Sequence, residues 1–363
     1  MDQTSPSSPL STRHQRHQRH PHPHQQHHHL SRLERLPPEL LEKIFFHSLP
    51  SINLPRSSPH IAGVLSKPII YKWLIRLAFS SCNPSSHHNF FTEDFLPSPL
   101  DFWALSNAER RLLQQDILTC RWSTLKVFRE CQREYVKHVL RQKGAGLVFV
   151  SREDRAGFEA LDEMFSRPME FDKAESGRRG SGDLILKAKK KVIEGGRRQG
   201  EVDMRVSFWF HFGAIQIREP SPVSHEIDVF RLPCPPSPNE RPRMPDKLLH
   251  APWTSEKIEF LTLLSQETYI DEHNHSTERS HQVLRQLIRD RDYDTFATLL
   301  ELNVTTRDYS YPQKWPVKTR HFKEALRHVT GLNDPFLKLL YDKRWDSLKD
   351  RRVRDEVLNC IEM

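Results

Sequence analysis

Cysteine is scarce in this 363-residue sequence: Cys82, Cys120, Cys131, Cys234 and Cys360 are odd in number and far apart. None forms a Cys-x-x-Cys pair, so neither a disulfide framework nor a zinc site is indicated, and a reducing compartment fits. Long apolar runs are missing too. No stretch approaches the ~20 residues needed to cross a bilayer, and the N-terminus is polar and histidine-rich where a secretory leader would be apolar. These absences point to the cytoplasm or the nucleus.

Signatures of catalysis are equally thin. His225-Glu226 lacks a second histidine four positions after the first, the spacing a zinc-protease helix requires, and Asp271-Glu272-His273-Asn274-His275 is a polar run without helical framing. Gly177 to Gly182 contains glycines but no Gly-Lys-Ser/Thr and no strand leading into it, and no Gly-x-Ser-x-Gly elbow occurs. A non-enzymatic protein without cofactor or metal is the expectation. Charge of neither sign dominates: 55 Lys and Arg face 47 Asp and Glu, a formal excess of +8 with both signs interspersed. That balance is compatible with acidic partners, whereas a nucleic-acid binder would gather its cations into a stripe alternating with aromatics. The densest basic run is Lys187-Ala188-Lys189-Lys190-Lys191, followed by Arg197-Arg198. It reads either as a solvated strand or hairpin face, or as a segment steering the chain to nucleic acid or to the nucleus.

What is present is 36% hydrophobic content, enough for a core, arranged in distinct blocks. Residues 1–30 combine Ser, Pro, Gln and Arg with histidines ending in His27-His28-His29, too little apolar surface to offset the entropy of ordering, so a disordered tail is expected. Within it, His20, His22 and His24 either offer imidazoles to a divalent metal or belong to a plain low-complexity extension. Residues 31–80 form a first helical segment. Pro37 and Pro38, with Leu40, Leu41, Ile44 and Phe45 at helical spacing, predict a helix from Pro38 to His47. Pro50, Pro55, Pro59 and Pro68 allow only short helical pieces before a clearer helix, Ile69 to Phe79, with Ile70, Trp73, Leu74 and Leu77 on one side. In residues 81–143 the apolar pattern predicts one long or two shorter helices from Asn107 to Lys143, with Trp122 and Tyr135 on the buried side.

The character changes at Gly144. Gly146 to Val150, Leu184 to Leu186, Val206 to Phe212, Ile215 to Ile217 and Ile227 to Val229 are short runs of strand formers, and predict a small antiparallel sheet in residues 144–232. Alternation places Phe208, Phe210 and Phe212 on one face and Trp209 on the other, with Gly213 at a bend. Residues 233–250, whose first thirteen positions carry six prolines, read as an extended linker. Residues 251–363 are helical, opening with a helix capped by Thr254 or Ser255. An internal echo follows at an offset of forty: Asp294-Thr295-Phe296 aligns with Asp334-Pro335-Phe336, Leu299-Leu300 with Leu339-Leu340, and His281 with His321. These are two helix-turn-helix units, either true repeats or a coincidence of two amphipathic pairs; as repeats they resemble degenerate ankyrin-type units without that family's Thr-Pro-Leu-His start. The fold class expected is mainly α with a small antiparallel β module.

The stretch Leu36-Pro37-Pro38-Glu39-Leu40-Leu41-Glu42-Lys43-Ile44-Phe45 resembles the opening of an F-box, and Trp73 stands where that family carries its closing Trp. Leu54 to Ile61 departs from the usual middle of the module and is similar to a group of large fungal F-box-like proteins. That group also has a Phe-Gly-x-Ile-Gln-Ile-Arg strand, matched by Phe212 to Arg218, and a Pro-Trp-Thr-x-Glu-Lys helix, matched by Pro252 to Lys257. The resemblance implies that Leu36, Pro37, Glu39, Leu40 and Ile44 lie against the small acidic adaptor subunit of a cullin-RING ubiquitin ligase, with an unidentified target protein recruited elsewhere on the chain. A helical unit of about 45 residues cannot bury enough apolar surface alone, so its leftover apolar face meets either a partner or the rest of the chain, the second being the reading of an interaction protein outside any ligase whose F-box-like helix packs internally. Glu39 has a second role available, since a carboxylate in the first turn stabilises a helix through its dipole.

Overall fold

The computed structural model describes residues 30–84, 86–165, 183–194, 197–220, 228–271, 278–307 and 311–361. The histidine-rich tail, Gly177 to Gly182, His225-Glu226 and most of Asp271 to His275 lie outside the described residues.

Proline starts each of the first three helices: α1 (Pro38–His47), α2 (Pro59–Leu65) and α3 (Pro68–Phe79). At a first helical position the missing N–H costs nothing and φ is preset. A single 3-10 turn, Leu54–Arg56, precedes α2, and the Ser58 hydroxyl accepts the Ile61 N–H at 3.2 Å to cap it. α1 buries Leu41, Phe45 and Phe46, and the Phe46 ring meets Trp73 of α3 edge-on at 6.0 Å. The C-terminal half of α3 is buried all round, including Arg76, which pairs with Glu134 of α5 at 2.5 Å. Two helices, α4 (Asn107–Thr119) and α5 (Leu125–Lys143), fill the next block. Ser106 and Glu109 cap α4 reciprocally. α5 buries Phe128, Gln132, Tyr135 and Val139 along one face, and half-buried Trp122 stacks flat on Tyr71 at 4.3 Å.

The sheet is a five-stranded antiparallel meander in chain order. Its strands are β1 (Leu147–Phe149), β2 (Leu184–Glu194), β3 (Arg197–Trp209), β4 (Ala214–Arg218) and β5 (Val229–Arg231), with α6 (Arg152–Glu159) and α7 (Leu161–Met164) between β1 and β2. Leu186, Ala188, Val206, Phe208, Ile215 and Phe230 are buried. Gly157 lets α6 approach β2, because a Cβ there would sit 3.0 Å from Leu186 Cδ2. At the β3–β4 turn Gly213 has φ +55°, and a Cβ would come within 2.4 Å of Gln132 Cγ on α5. This turn corrects one expectation: the strand ends at Trp209, so Phe210 and Phe212 both lie in the turn, where Phe210 still stacks parallel on Phe208 at 6.1 Å but Phe212 packs edge-on against His211 at 5.0 Å.

The proline-rich segment 233–250 has no α-helix, passes through turns and ends in a 3-10 turn, Asp246–Leu248, and it is built into the body instead of bridging two units. Cys234 N–H donates to Phe79 O (2.8 Å), Gln114 Nε2 to Cys234 O (2.8 Å), and Arg243 N–H to Gln115 Oε1 (2.6 Å). Lys247 Nζ donates to the carbonyls of Cys120 (2.6 Å) and Ser123 (2.7 Å) just past α4. Prolines suit such a strap, since each removes an N–H that would otherwise need a partner on burial.

Thr254 caps α8 (Ser255–Leu264), accepting Lys257 N–H at 3.2 Å, and Phe260 packs on Phe128 at 5.2 Å. Then come α9 (Arg279–Asp290), α10 (Tyr293–Glu301), a two-stranded ribbon of β6 (Asn303–Val304) and β7 (Gln313–Lys314), α11 (Thr319–Arg327), α12 (Pro335–Arg344) and α13 (Arg351–Leu358). The aligned residues of the echo meet across the stack: His281 on His321 at 4.9 Å, Phe296 on Phe336 at 5.1 Å. The Leu-Leu pair does not match in depth, because Leu299, Leu300 and Leu340 are buried whereas Leu339 is half-buried. The caps differ in offset too, since Asp292 and Asp334 stand forty-two positions apart. Buried residues from Leu41 to Ile361 join one hydrophobic cluster. Among the described residues no helix is long and apolar enough to cross a membrane.

Candidate functional site

α1 divides its apolar side chains between two directions. Leu41, Phe45 and Phe46 seal the core, while Leu40 is 45% exposed and Ile44 41% exposed, one turn apart on the opposite stripe. Lys43 and His47 are also exposed, and at 100° per residue they continue the same stripe. Pro37 is exposed at the N-cap, and its carbonyl accepts Leu40 N–H (3.0 Å) and Leu41 N–H (3.1 Å). Leu36, grouped with these by the sequence, is instead half-buried against the core, its N–H held by Leu33 O at 3.1 Å. Glu39 is exposed in the first turn, with no hydrogen-bond or ion-pair partner among the described residues. The sequence-predicted set therefore splits: Pro37, Leu40 and Ile44 share an outward surface, Glu39 flanks it, and Leu36 supports it from within.

Glu42 pairs with Lys67 at the start of α3, tying two of the helices that present this surface. Ile69, one turn before Trp73, is exposed as well, an apolar position that the helical spacing of Ile69 and Trp73 could have flagged. Arg35, whose Nε donates to Leu30 O at 3.1 Å, stands just ahead of α1. Leu40 and Ile44 thus share their stripe with exposed Lys43 and His47.

The paired histidines, the thiols and the hairpin lysines are closed, deactivated or charge-matched. His281 and His321 face one another between α9 and α11, with Arg320 Nη2 2.6 Å from His281 Nδ1 and Glu278 on the same nitrogen. Burial above all, then the neighbouring His321, Arg320 and Lys318, pushes His281 down to about 2, and burial holds His321 down to about 4. Both rings are enclosed, so they are packing elements with no room for a substrate. Burial raises the thiols of Cys82, Cys120 and Cys234, and pushes Cys131 up to about 12, the opposite of an activated nucleophile. On the hairpin, Lys187, Lys189 and Lys191 are exposed, but Lys189 faces Asp203 in the register, lies 3.5 Å from Glu201, and Lys191 faces Glu201. Among the described residues no group of three or more His, Cys, Asp or Glu side chains could hold a metal ion. Compared with family models, curated proteins and solved structures, the chain matches none.

Proposed function

We propose that this protein is an F-box-like adaptor that docks through α1 onto the acidic adaptor subunit of a cullin-RING ubiquitin ligase and recruits a target protein through other surfaces. The observation that carries this reading is the outward pair Leu40 and Ile44 on a helix whose remaining large apolar residues are spent on the core. An exposed leucine alone means little; an apolar stripe continuous with Lys43 and His47 fits a partner with an apolar groove and an acidic rim. The three short proline-started helices and Trp73 supply the frame that the F-box resemblance calls for. The α9–α12 helix pairs, read as degenerate ankyrin-like repeats, are the natural place for target recognition, because stacked helix pairs leave one continuous face open. Capture of the chain by the immobilised acidic adaptor, compared between wild type and Leu40→Asp, tests the reading. A carboxylate forced into the apolar contact should abolish capture while circular dichroism stays unchanged; equal capture of both removes the assignment.

A further inference from the structure

A groove of about 320 Å³ runs between the loop leading into α8 and the outer face of α9. Trp253 forms one wall, and Arg279, Gln282, Arg285, Gln286 and Arg289 form the other, spaced along three turns of helix. The Trp wall is fixed: Lys257 Nζ lies 5.4 Å from the Trp253 ring centre and donates to Pro252 O at 3.3 Å and to His250 O. Cations exceed anions here. The buried carboxylate of Glu324 is shared by Arg285 (2.8 Å), Arg289 (2.7 Å), Arg327 (3.7 Å) and His328 (3.6 Å), and hydrogen bonding from Arg289 first holds it down to about 2. Asp246 is likewise divided between Arg279 (2.6 Å) and Arg243 (3.5 Å). Arg279 is already engaged, Nη1 with Ile270 O (3.1 Å) and Nη2 with Asp246 and Met244 O, but Arg285 and Arg289 share the one carboxylate of Glu324 through Nε of each and Arg285 Nη2, so Arg285 Nη1 and both Nη groups of Arg289 keep N–H donors for an anion.

We propose that this groove docks an extended acidic segment of a partner protein. Its aspartate and glutamate side chains meet Arg285 and Arg289, Gln282 bonds its backbone, and an apolar side chain rests on Trp253. Charge complementarity selects the occupant, and compactness selects a peptide over nucleic acid: the cations end within one helix and a single aromatic ring serves the groove, whereas a nucleic-acid strand requires a longer basic path with successive stacking platforms. The inference rests on the adaptor reading only in taking the bound segment to belong to the recruited protein.

Anisotropy of a fluorescein-labelled Asp/Glu-rich peptide with a central Leu, titrated with the full chain alone, tests it. Binding should weaken as salt rises, and should fall about tenfold or more with Gln286→Glu, which adds a negative charge at an exposed position, and with Trp253→Ala. The Asn/Gln version of the peptide should not bind. Equal binding of that version, or indifference to Gln286→Glu, overturns the proposal. So does an oligothymidylate that binds as tightly and displaces the peptide. Because the ligase adaptor is absent from this assay, failure here leaves capture through α1 standing, and loss of that capture leaves the groove standing.

Discussion

Four imidazoles enclosed in the core make this fold sensitive to mild acid. His138 Nε2 donates to Phe90 O at 2.7 Å while its ring stacks on Phe95 at 4.2 Å, and His211 lies beside Arg129. Burial, the largest cause in each, holds His138, His211 and His321 down to about 4 against an ordinary 6.5, and His281 to about 2. The folded chain thus binds fewer protons than the unfolded chain. Stability is complete above the unfolded value, declines as pH falls through 6.5, and goes on declining until the folded values are reached. Between about pH 7 and about pH 5 each imidazole should cost on the order of 1–2 kcal/mol, and four together several kcal/mol, a large share of the ~5–15 kcal/mol typical of a domain. The carboxylates held low, such as Glu324, do not contribute until the pH falls below 4.5. Urea unfolding followed by circular dichroism across that window measures the effect. A midpoint that does not move between the two conditions refutes the reasoning, as does full retention of the slope in a variant with His138 and His321 both replaced by Gln.

Three further outcomes follow from packing. Gly213→Ala places a Cβ against Gln132 in a left-handed turn, and should lower stability by about 2–3 kcal/mol in a thermal melt. Asp334 is buried, accepts Phe336 N–H (3.0 Å) and Leu337 N–H (3.3 Å), and pairs with Arg291 at 2.7 Å; Asp334→Ala should cost about 2–4 kcal/mol by urea denaturation. Leu41→Ala should cost about 2–5 kcal/mol whereas Ile44→Ala, on the outer stripe, should stay within about 0.5 kcal/mol in the same assay.

Much of the fold is legible in the residues because proline and glycine act locally. Pro38, Pro59 and Pro68 open helices wherever an apolar periodicity follows them, and Gly213 marks the β3–β4 turn. The less legible features are those decided by tertiary contact. Composition reads 233–250 as an extended linker and not as a strap, since nothing local tells that Gln114, Gln115 and Phe79 will satisfy its backbone. An offset of forty finds the paired helices but does not tell that Leu339 is half-buried where Leu299 is buried, because depth is decided by the neighbouring elements. The proposed docking surface is intermediate. Leu36, Leu40, Leu41, Ile44 and Phe45 form a stripe too wide for one interface, and periodicity cannot say which edge faces the core; the structure turns Leu41 and Phe45 inward and leaves Leu40 and Ile44 out.

Calorimetric titration of the acidic ligase adaptor into wild type and into a Leu40→Ala/Ile44→Ala double variant tests the adaptor reading most directly. With Leu40 45% and Ile44 41% exposed, covering them buries roughly half of each side chain, about 1 kcal/mol apiece. The account expects saturable wild-type binding weakened roughly 30-fold in the double variant, with an unchanged unfolding midpoint. No wild-type binding, or equal affinity in both proteins, contradicts it.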